Sequence, residues 1–122
     1  MNNFLFRGSE AWKVAYPGAA VGILALGDVS NPERNAELDR LKSDLEEQIR
    51  RYATKEELRA DPRLEAYRAY YKGFRKTYHV QMQLESIALK GKSIPQVAAL
   101  VEAMFIAELQ DRLLTAGPAV PR

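Results

Sequence analysis

The chain has 122 residues, of which 47% are hydrophobic and 28% charged, a composition typical of one folded domain and not of a disordered chain. Eighteen lysines and arginines against sixteen acids leave a net charge of +2, which tolerates a nucleic-acid partner without arguing for one. The absence of cysteine excludes a disulfide scaffold and thiol catalysis, and no apolar run approaches the roughly 20 residues that span a bilayer, so we expect no membrane association and a cytoplasmic location.

The N-terminal part of the sequence predicts extended structure. Residues 4–16 form a short segment of mixed polarity with several aromatic side chains, which favours an extended entry segment. Pro17-Gly18 interrupts the chain, and the apolar run from Ala19 to Val29 then predicts a buried strand. Because this run is apolar at consecutive positions, we expect the strand to lie in the middle of a sheet.

The rest of the chain predicts helices. Ser30 and Glu33 have the spacing of a capping box, with Asn31 as the alternative cap, and Pro32 suits a first helical turn. A single apolar stripe follows, formed by Leu38, Leu41, Leu45, Ile49 and Tyr52.

Three further helices follow the first. Asp61-Pro62 caps the second helix, and the third covers about residues 81–90 and stops at Gly91. The last helix begins near Pro95 and is apolar over most of its circumference as far as Ile106. Such breadth predicts that this helix lies in a core or an interface.

These elements predict an α+β fold, in which the central strand or strands of a sheet are covered by three to four amphipathic helices. A central strand needs two neighbours for its main-chain groups, and residues 118–122 cannot supply one. Either residues 4–16 and a second copy of the chain provide them, or the domain is incomplete. We therefore predict one domain over 1–122, with strands in 1–30, a helical region in 31–117 and a tail in 118–122.

A basic and aromatic cluster surrounds the middle turn. Interleaved cations and rings suit an RNA strand, because phosphates bind Lys and Arg while unstacked bases bind flat rings. Alternatively Tyr67, Tyr71 and Phe74 are core residues, and the cations are only the solvent-exposed residues at the edge of that core. The RNA-binding candidates are Arg68, Lys72, Arg75, Lys76, Tyr78, His79, Lys90 and Lys92.

Residues with catalytic or metal-binding chemistry are few. His79 is the single histidine and is either a general base or an exposed turn residue. No second histidine or paired acid lies at ligand spacing, so we predict no metal and no cofactor. Glu85, Glu102 and Glu108 lie in or near apolar helices, and each needs a partner if it is buried.

Several short motifs follow one another along the chain. They are Asp61-Pro62, Ala66-Tyr67-Arg68, Lys76-Thr77-Tyr78, Leu84-Glu85, Gly91-Lys92-Ser93-Ile94-Pro95 and Leu100-Val101-Glu102. In this order they resemble the N-terminal half of the B3/B4 editing and tRNA-binding domain of the phenylalanyl-tRNA synthetase beta subunit, in particular its free-standing relatives. The resemblance implies a protein that binds tRNA or aminoacyl-tRNA and hydrolyses the ester of a mischarged tRNA. It also implies an incomplete sandwich-type domain and an aminoacyl pocket for which Glu85 and Glu102 are the candidates. Alternatively Glu85 is a cap or salt-bridge residue that holds the Gly91–Pro95 link, and Glu102 is a half-exposed helix residue.

The same resemblance leaves enzymatic activity open. Relatives place a histidine just after the long helix, whereas here Leu114-Thr115-Ala116-Gly117 is followed by Pro118-Ala119. A second hypothesis is a non-catalytic helical interaction protein that forms a homo-oligomer through the 95–114 helix or an exposed sheet edge. A third is a fragment with no independent function.

Overall fold

The computed structural model describes residues 7–116 of the chain, which divides into two units, residues 1–30 and residues 31–122. The described part contains helices and irregular segments and no strand. The helices are α1 Glu10–Ala15, α2 Ala36–Tyr52, α3 Lys55–Ala60, α4 Pro62–Lys72, α5 His79–Lys90 and α6 Ala99–Asp111.

The predicted α+β fold is therefore wrong for the described residues. The run from Ala19 to Val29 forms neither strand nor helix, and its side chains are exposed instead of buried. The physical reason is that a strand exists only by pairing, and no other described segment is extended alongside this one. The predicted entry segment is also wrong where it is described, because Ser9 accepts a hydrogen bond from the Trp12 N–H and starts α1. Residues 4–6 and the tail 118–122 lie outside the described residues.

The second unit is a helical bundle that packs around α5. Helix α2 packs against α5 and α6, α5 packs against α6, and α3 packs against α4 and α5. The core combines the inner faces of these helices with Ile94 from the segment before α6: Leu45, Ile49, Ala53, Leu58, Leu64, Tyr78, Val80, Leu84, Ile87, Ile94, Ile106 and Leu109. The structure thus surrounds one apolar centre with helices alone.

The helix ends agree with the local sequence signals in two places. The Asp61 carboxylate accepts hydrogen bonds from the N–H groups of Arg63 (2.8 Å) and Leu64 (3.3 Å), which confirms the predicted start of α4. Gly91 ends α5 with a φ of +66°, a left-handed conformation that glycine adopts without strain. Helix α3 was not predicted; it begins at Thr54, whose hydroxyl oxygen accepts from the Glu57 N–H.

The predicted capping box at Ser30 is wrong. Helix α2 begins five residues later, where the Asn35 side-chain oxygen accepts a hydrogen bond from the Leu38 N–H at 3.0 Å. Asn31 does act as a cap, but for another helix: its side-chain oxygen accepts from the Leu100 N–H at 2.9 Å. The Pro32 carbonyl accepts from the Ala99 N–H at 2.9 Å, so the segment before α2 caps the first turn of α6.

Candidate interaction surface

Arg68, the first of the predicted RNA-binding residues, is held in place by the fold. Its guanidinium group donates hydrogen bonds to the carbonyls of Leu58 (3.3 Å) and Arg59 (2.9 Å) and to the Gln81 side-chain oxygen (3.0 Å). It therefore satisfies carbonyls at the end of α3 and ties α3 to α4 and α5. These contacts give Arg68 a structural role.

Tyr78 is fully buried, and the rings of two other tyrosines stack against it. The Tyr67 ring stacks on it with centroids 4.4 Å apart and planes 17° apart, and the Tyr71 ring lies at 5.5 Å and 18°. Burial raises the pKa of Tyr78 well above its usual value, and the neighbouring Tyr67 hydroxyl and Glu108 carboxylate add to the effect. The Tyr78 ring is thus a core residue and not an exposed stacking surface. The alternative that placed Tyr67, Tyr71 and Phe74 in the core is confirmed for Tyr67 and Tyr71, which pack against it, and is wrong for Phe74, which is 57% exposed.

The other members of the predicted cluster are exposed. Lys72, Arg75 and Lys76 lie at the end of α4 and in the turn after it, next to the exposed rings of Tyr70 and Phe74, whose centroids are 5.2 Å apart. His79 begins α5, whereas Lys90 and Lys92 lie at the opposite end of that helix. The structure thus keeps three cations together on one turn and separates the two lysines from them by the length of α5. RNA binding itself stays a prediction.

Glu85 lines a cleft of about 200 Å³ that also involves Arg68. The Gln81 amide donates to the Glu85 carboxylate at 3.0 Å, while its own oxygen accepts from Arg68. Arg68 and Glu85 are thereby connected through one glutamine in a chain of two hydrogen bonds. The other lining residues are Lys55, Leu58 and Arg59.

Glu102, the second predicted pocket residue, is not in that cleft. Its side chain is only 1% exposed and forms an ion pair with Lys42 of α2, with 2.6 Å between Oε1 and Nζ. Its other oxygen accepts a hydrogen bond from the Val97 N–H at 2.9 Å. The hydrogen bond from Lys42 lowers the pKa of Glu102 against the opposing effect of burial. Glu85 and Glu102 therefore form no common pocket, and Glu102 anchors α6 to α2.

Lys42 was the residue that sequence reasoning missed. A lysine in an amphipathic helix is expected on its solvated face, yet Lys42 is nearly as buried as its partner. Its position carries a signal, since Lys42 follows Leu38 by four residues and precedes Leu45 by three and so falls on the apolar stripe itself. A cation on such a stripe needs a buried acid, and Glu102 is that acid.

Glu108 is the second inward-facing acid of α6 and is 4% exposed. Its Oε2 accepts a hydrogen bond from the Thr115 N–H at 3.1 Å and lies 3.4 Å from Nε2 of His79. Glu108 therefore holds the segment that follows α6 against the start of α5. His79 contacts only one acid among the described residues, and the described residues contain no group of three metal-ligating side chains.

Helix α6 is apolar on both sides, because Ile106 and Leu109 of its inner face lie in the core and its outer face is apolar too. Its two glutamates point into the protein, whereas its outer face is apolar: Leu100, Ala103 and Ala107 are exposed there and Met104 is half-buried. These four residues recur at three- and four-residue steps and so share one face. Asp111, at the last turn, is the only charged residue of the helix that is exposed. Val97, Val101, Leu113 and Leu114 add further exposed apolar side chains beside and beyond this face.

In the N-terminal unit the apolar run 19–29 is exposed along its whole length. Its large side chains, which are each about half or more exposed, are Val21, Ile23, Leu24, Leu26 and Val29. No helix among residues 7–116 has both the length and the apolar character needed to cross a membrane. Exposed apolar surface of this kind is typical of protein contact sites.

The resemblance to the editing domain is not supported by other proteins. Its implied sheet is contradicted for residues 7–116, and its implied function stays a prediction. Comparison of the chain with known protein families, with curated proteins and with solved structures finds no match.

Proposed function

We propose that this protein is a helical interaction protein that self-associates through the outer face of α6. The observation that carries the proposal is that α6 is apolar on both sides: Ile106 and Leu109 are buried in the core, yet Leu100 on the opposite side is 41% exposed. A helix at the surface of a monomer normally has a polar outer face. A helix that is apolar on its outer side and fixed by buried acids on its inner side is suited to burial on both sides.

A second copy of the chain fits this face for two reasons. The face carries no charged side chain before Asp111, so two identical surfaces approach each other without like-charge repulsion. A two-fold axis then brings the same residues into contact on both sides. Ala103 and Ala107 are small and four residues apart, which lets two helices approach closely, with Leu100 and Met104 packing beside them.

The size of the face sets the expected strength. A helix of 13 residues is about 20 Å long, and one helix face buries less than the roughly 800 Å² per partner of a standard interface. Val97, Leu113 and Leu114 must therefore contribute to the contact as well. We expect a dimer with a dissociation constant that is about micromolar or weaker.

Sedimentation velocity over a wide range of protein concentrations tests the proposal. We expect the wild-type protein to shift from monomer to dimer, and Leu100→Asp to stay monomeric because it places a charge within the apolar contact. The matched control is Met82→Asp, which puts the same charge on an exposed apolar position of α5 that is 52% exposed. Circular dichroism checks that both variants keep their helices.

Two results would contradict the proposal. One is a wild-type protein that stays monomeric at the highest concentration reached. The other is a Leu100→Asp variant that associates as the wild type does, which would mean that any dimer forms through another surface.

A further inference from the structure

The turn between α4 and α5 concentrates positive charge. Residues 66–84 contain four of the chain's eighteen lysines and arginines and none of its sixteen acids. Arg68 is held by hydrogen bonds within the fold, whereas Lys72, Arg75 and Lys76 are exposed and form no ion pair with any residue that the structure describes. Like charges on one turn repel each other, so an anionic partner would be bound favourably.

Arg75 also has a strained main-chain conformation. Its φ is +57°, in the left-handed region that glycine usually occupies at the end of a helix. The Arg75 N–H donates to the Lys72 carbonyl and the Lys76 N–H to the Tyr71 carbonyl, both at 3.0 Å, so the end of α4 fixes this conformation. Because glycine would be more stable here, stability does not account for the arginine. Strain of this kind is typical of positions where a side chain has a function.

Two exposed rings accompany the three cations. Phe74 is 57% exposed and Tyr70 is 43% exposed, and their centroids lie 5.2 Å apart with planes inclined by 59°. Every residue from Lys72 to Thr77 is exposed, so the turn protrudes and has no walls that could enclose a ligand. A protruding turn of this kind suits a broad anionic surface better than a small molecule.

Membranes and nucleic acids are the two broad anionic surfaces to be compared. Successive bases of a strand stack on the flat faces of rings, and two rings inclined by 59° cannot both lie flat against neighbouring bases. Insertion into a membrane interface requires apolar area with cations beside it and sets no condition on the angle between rings. The arrangement of Tyr70 and Phe74 therefore favours the membrane.

We propose that the turn 72–77, together with Tyr70, binds the surface of membranes that contain anionic phospholipids. Phe74 enters the boundary between headgroups and acyl chains, and the three cations contact lipid phosphates. The expectation of no membrane association rested on the absence of a spanning run, which binding at the surface does not require. Each cation near such a surface strengthens binding about fivefold, so three cations and one ring predict a weak, reversible association that salt reduces.

Co-sedimentation of the whole chain with lipid vesicles tests the proposal. We expect binding to phosphatidylcholine vesicles that contain about 30% phosphatidylserine, much weaker binding to phosphatidylcholine alone, and a loss of binding as the salt concentration rises. Lys76→Gln should weaken binding about fivefold, because one cation is lost. Phe74→Ser should weaken it by at least about fivefold, because the inserted apolar area is lost.

Arg75→Gly gives a result that a purely structural role would not. It should raise the urea midpoint of unfolding, because glycine adopts the left-handed conformation without strain. It should also weaken vesicle binding about fivefold, because the cation is lost. A more stable protein that binds less is the expected combination.

Two variants serve as matched controls. Lys55→Gln removes the same charge from an exposed position at the start of α3, and Leu89→Ser removes an apolar side chain that is 51% exposed at the other end of α5. Both should bind vesicles as the wild type does. The inference would be overturned by equal binding to neutral and anionic vesicles, by no binding to anionic vesicles at low salt, or by wild-type binding of Arg75→Gly. A wild-type protein that binds a single-stranded oligonucleotide and not the vesicles would also overturn it.

Discussion

Replacing Tyr78 by alanine is expected to remove most of the stability of the helical unit. Substituting a buried aromatic residue by alanine costs about 3–5 kcal/mol, and each of the two ring contacts, with Tyr67 and Tyr71, adds about 0.5–1.5 kcal/mol. The expected loss is thus about 4–8 kcal/mol. A unit of about 90 residues has a total stability of about 5–14 kcal/mol.

Urea unfolding followed by circular dichroism measures this loss. The matched control is Tyr70→Ala, since the Tyr70 ring is exposed and contacts Tyr71 only by its edge; we expect it to cost less than about 1 kcal/mol. If Tyr78→Ala unfolded within about 1 kcal/mol of the wild type, the ring could not be in the core. It would then be available to a ligand, as the RNA-binding prediction requires.

The Tyr78 hydroxyl gives a second and independent result. It donates a long hydrogen bond of 3.4 Å to the Arg112 carbonyl, so Tyr78→Phe should cost less than about 1 kcal/mol at neutral pH. The pKa of Tyr78 is raised in the folded protein, whereas the unfolded chain loses this proton near pH 10. Its contribution to stability is therefore complete below about pH 10 and is lost as the pH rises further. The wild type should lose more stability than Tyr78→Phe between about pH 9 and 11, and equal losses would contradict this.

Two further predictions concern charged residues. The pKa of Asp61 lies well below its usual range, because hydrogen bonds from Arg63, Arg112 and main-chain N–H groups outweigh the effect of burial; the stability that it provides is present above about pH 4 and is lost as the pH falls below that value. An Asp61→Asn variant should thus show a smaller acid-induced fall in urea midpoint than the wild type. Arg68→Ala should cost about 2 kcal/mol, because it leaves carbonyls at the end of α3 without a donor, whereas Arg75→Ala, in the exposed turn, should cost less than about 0.5 kcal/mol. If the two substitutions cost the same free energy of unfolding, Arg68 would not have this structural role.

Local signals in the sequence were enough to predict helices α4 and α5. Asp61-Pro62 and Gly91 act within one turn of the chain, so their effect does not depend on distant residues. The start of α2 was predicted wrongly, because the sequence offers several caps close together. Asn35 caps α2, whereas Asn31 caps the N-terminus of α6. The two residues of this second cap are far apart in the sequence, so their spacing does not predict the contact.

The wrongly predicted strand shows that an apolar run alone does not establish a buried strand. Such a run predicts burial, but whether residues 19–29 are buried depends on a partner strand, and none is present among residues 7–116. The basic and aromatic cluster shows a similar limit. Composition placed Arg68, Arg75 and Tyr78 in one group, whereas the fold buries the ring, fixes one arginine and leaves the other exposed. Which way each side chain faces is decided by packing between helices.

The rotation of α6 connects the fold to the proposed function. The opposite rotation, with Leu100 and Met104 turned inward, would place Glu102 in solvent but would also expose Ile106 and Leu109. Three contacts hold the helix in the observed rotation: the Lys42–Glu102 ion pair, the hydrogen bond to the Asn31 side chain and the hydrogen bond to the Pro32 carbonyl. A buried ion pair adds little stability compared with apolar packing, but it penalises any orientation that separates its charges. Because α6 is apolar on both sides, either rotation leaves an apolar face outward, which is understandable if that face is covered in the assembled protein.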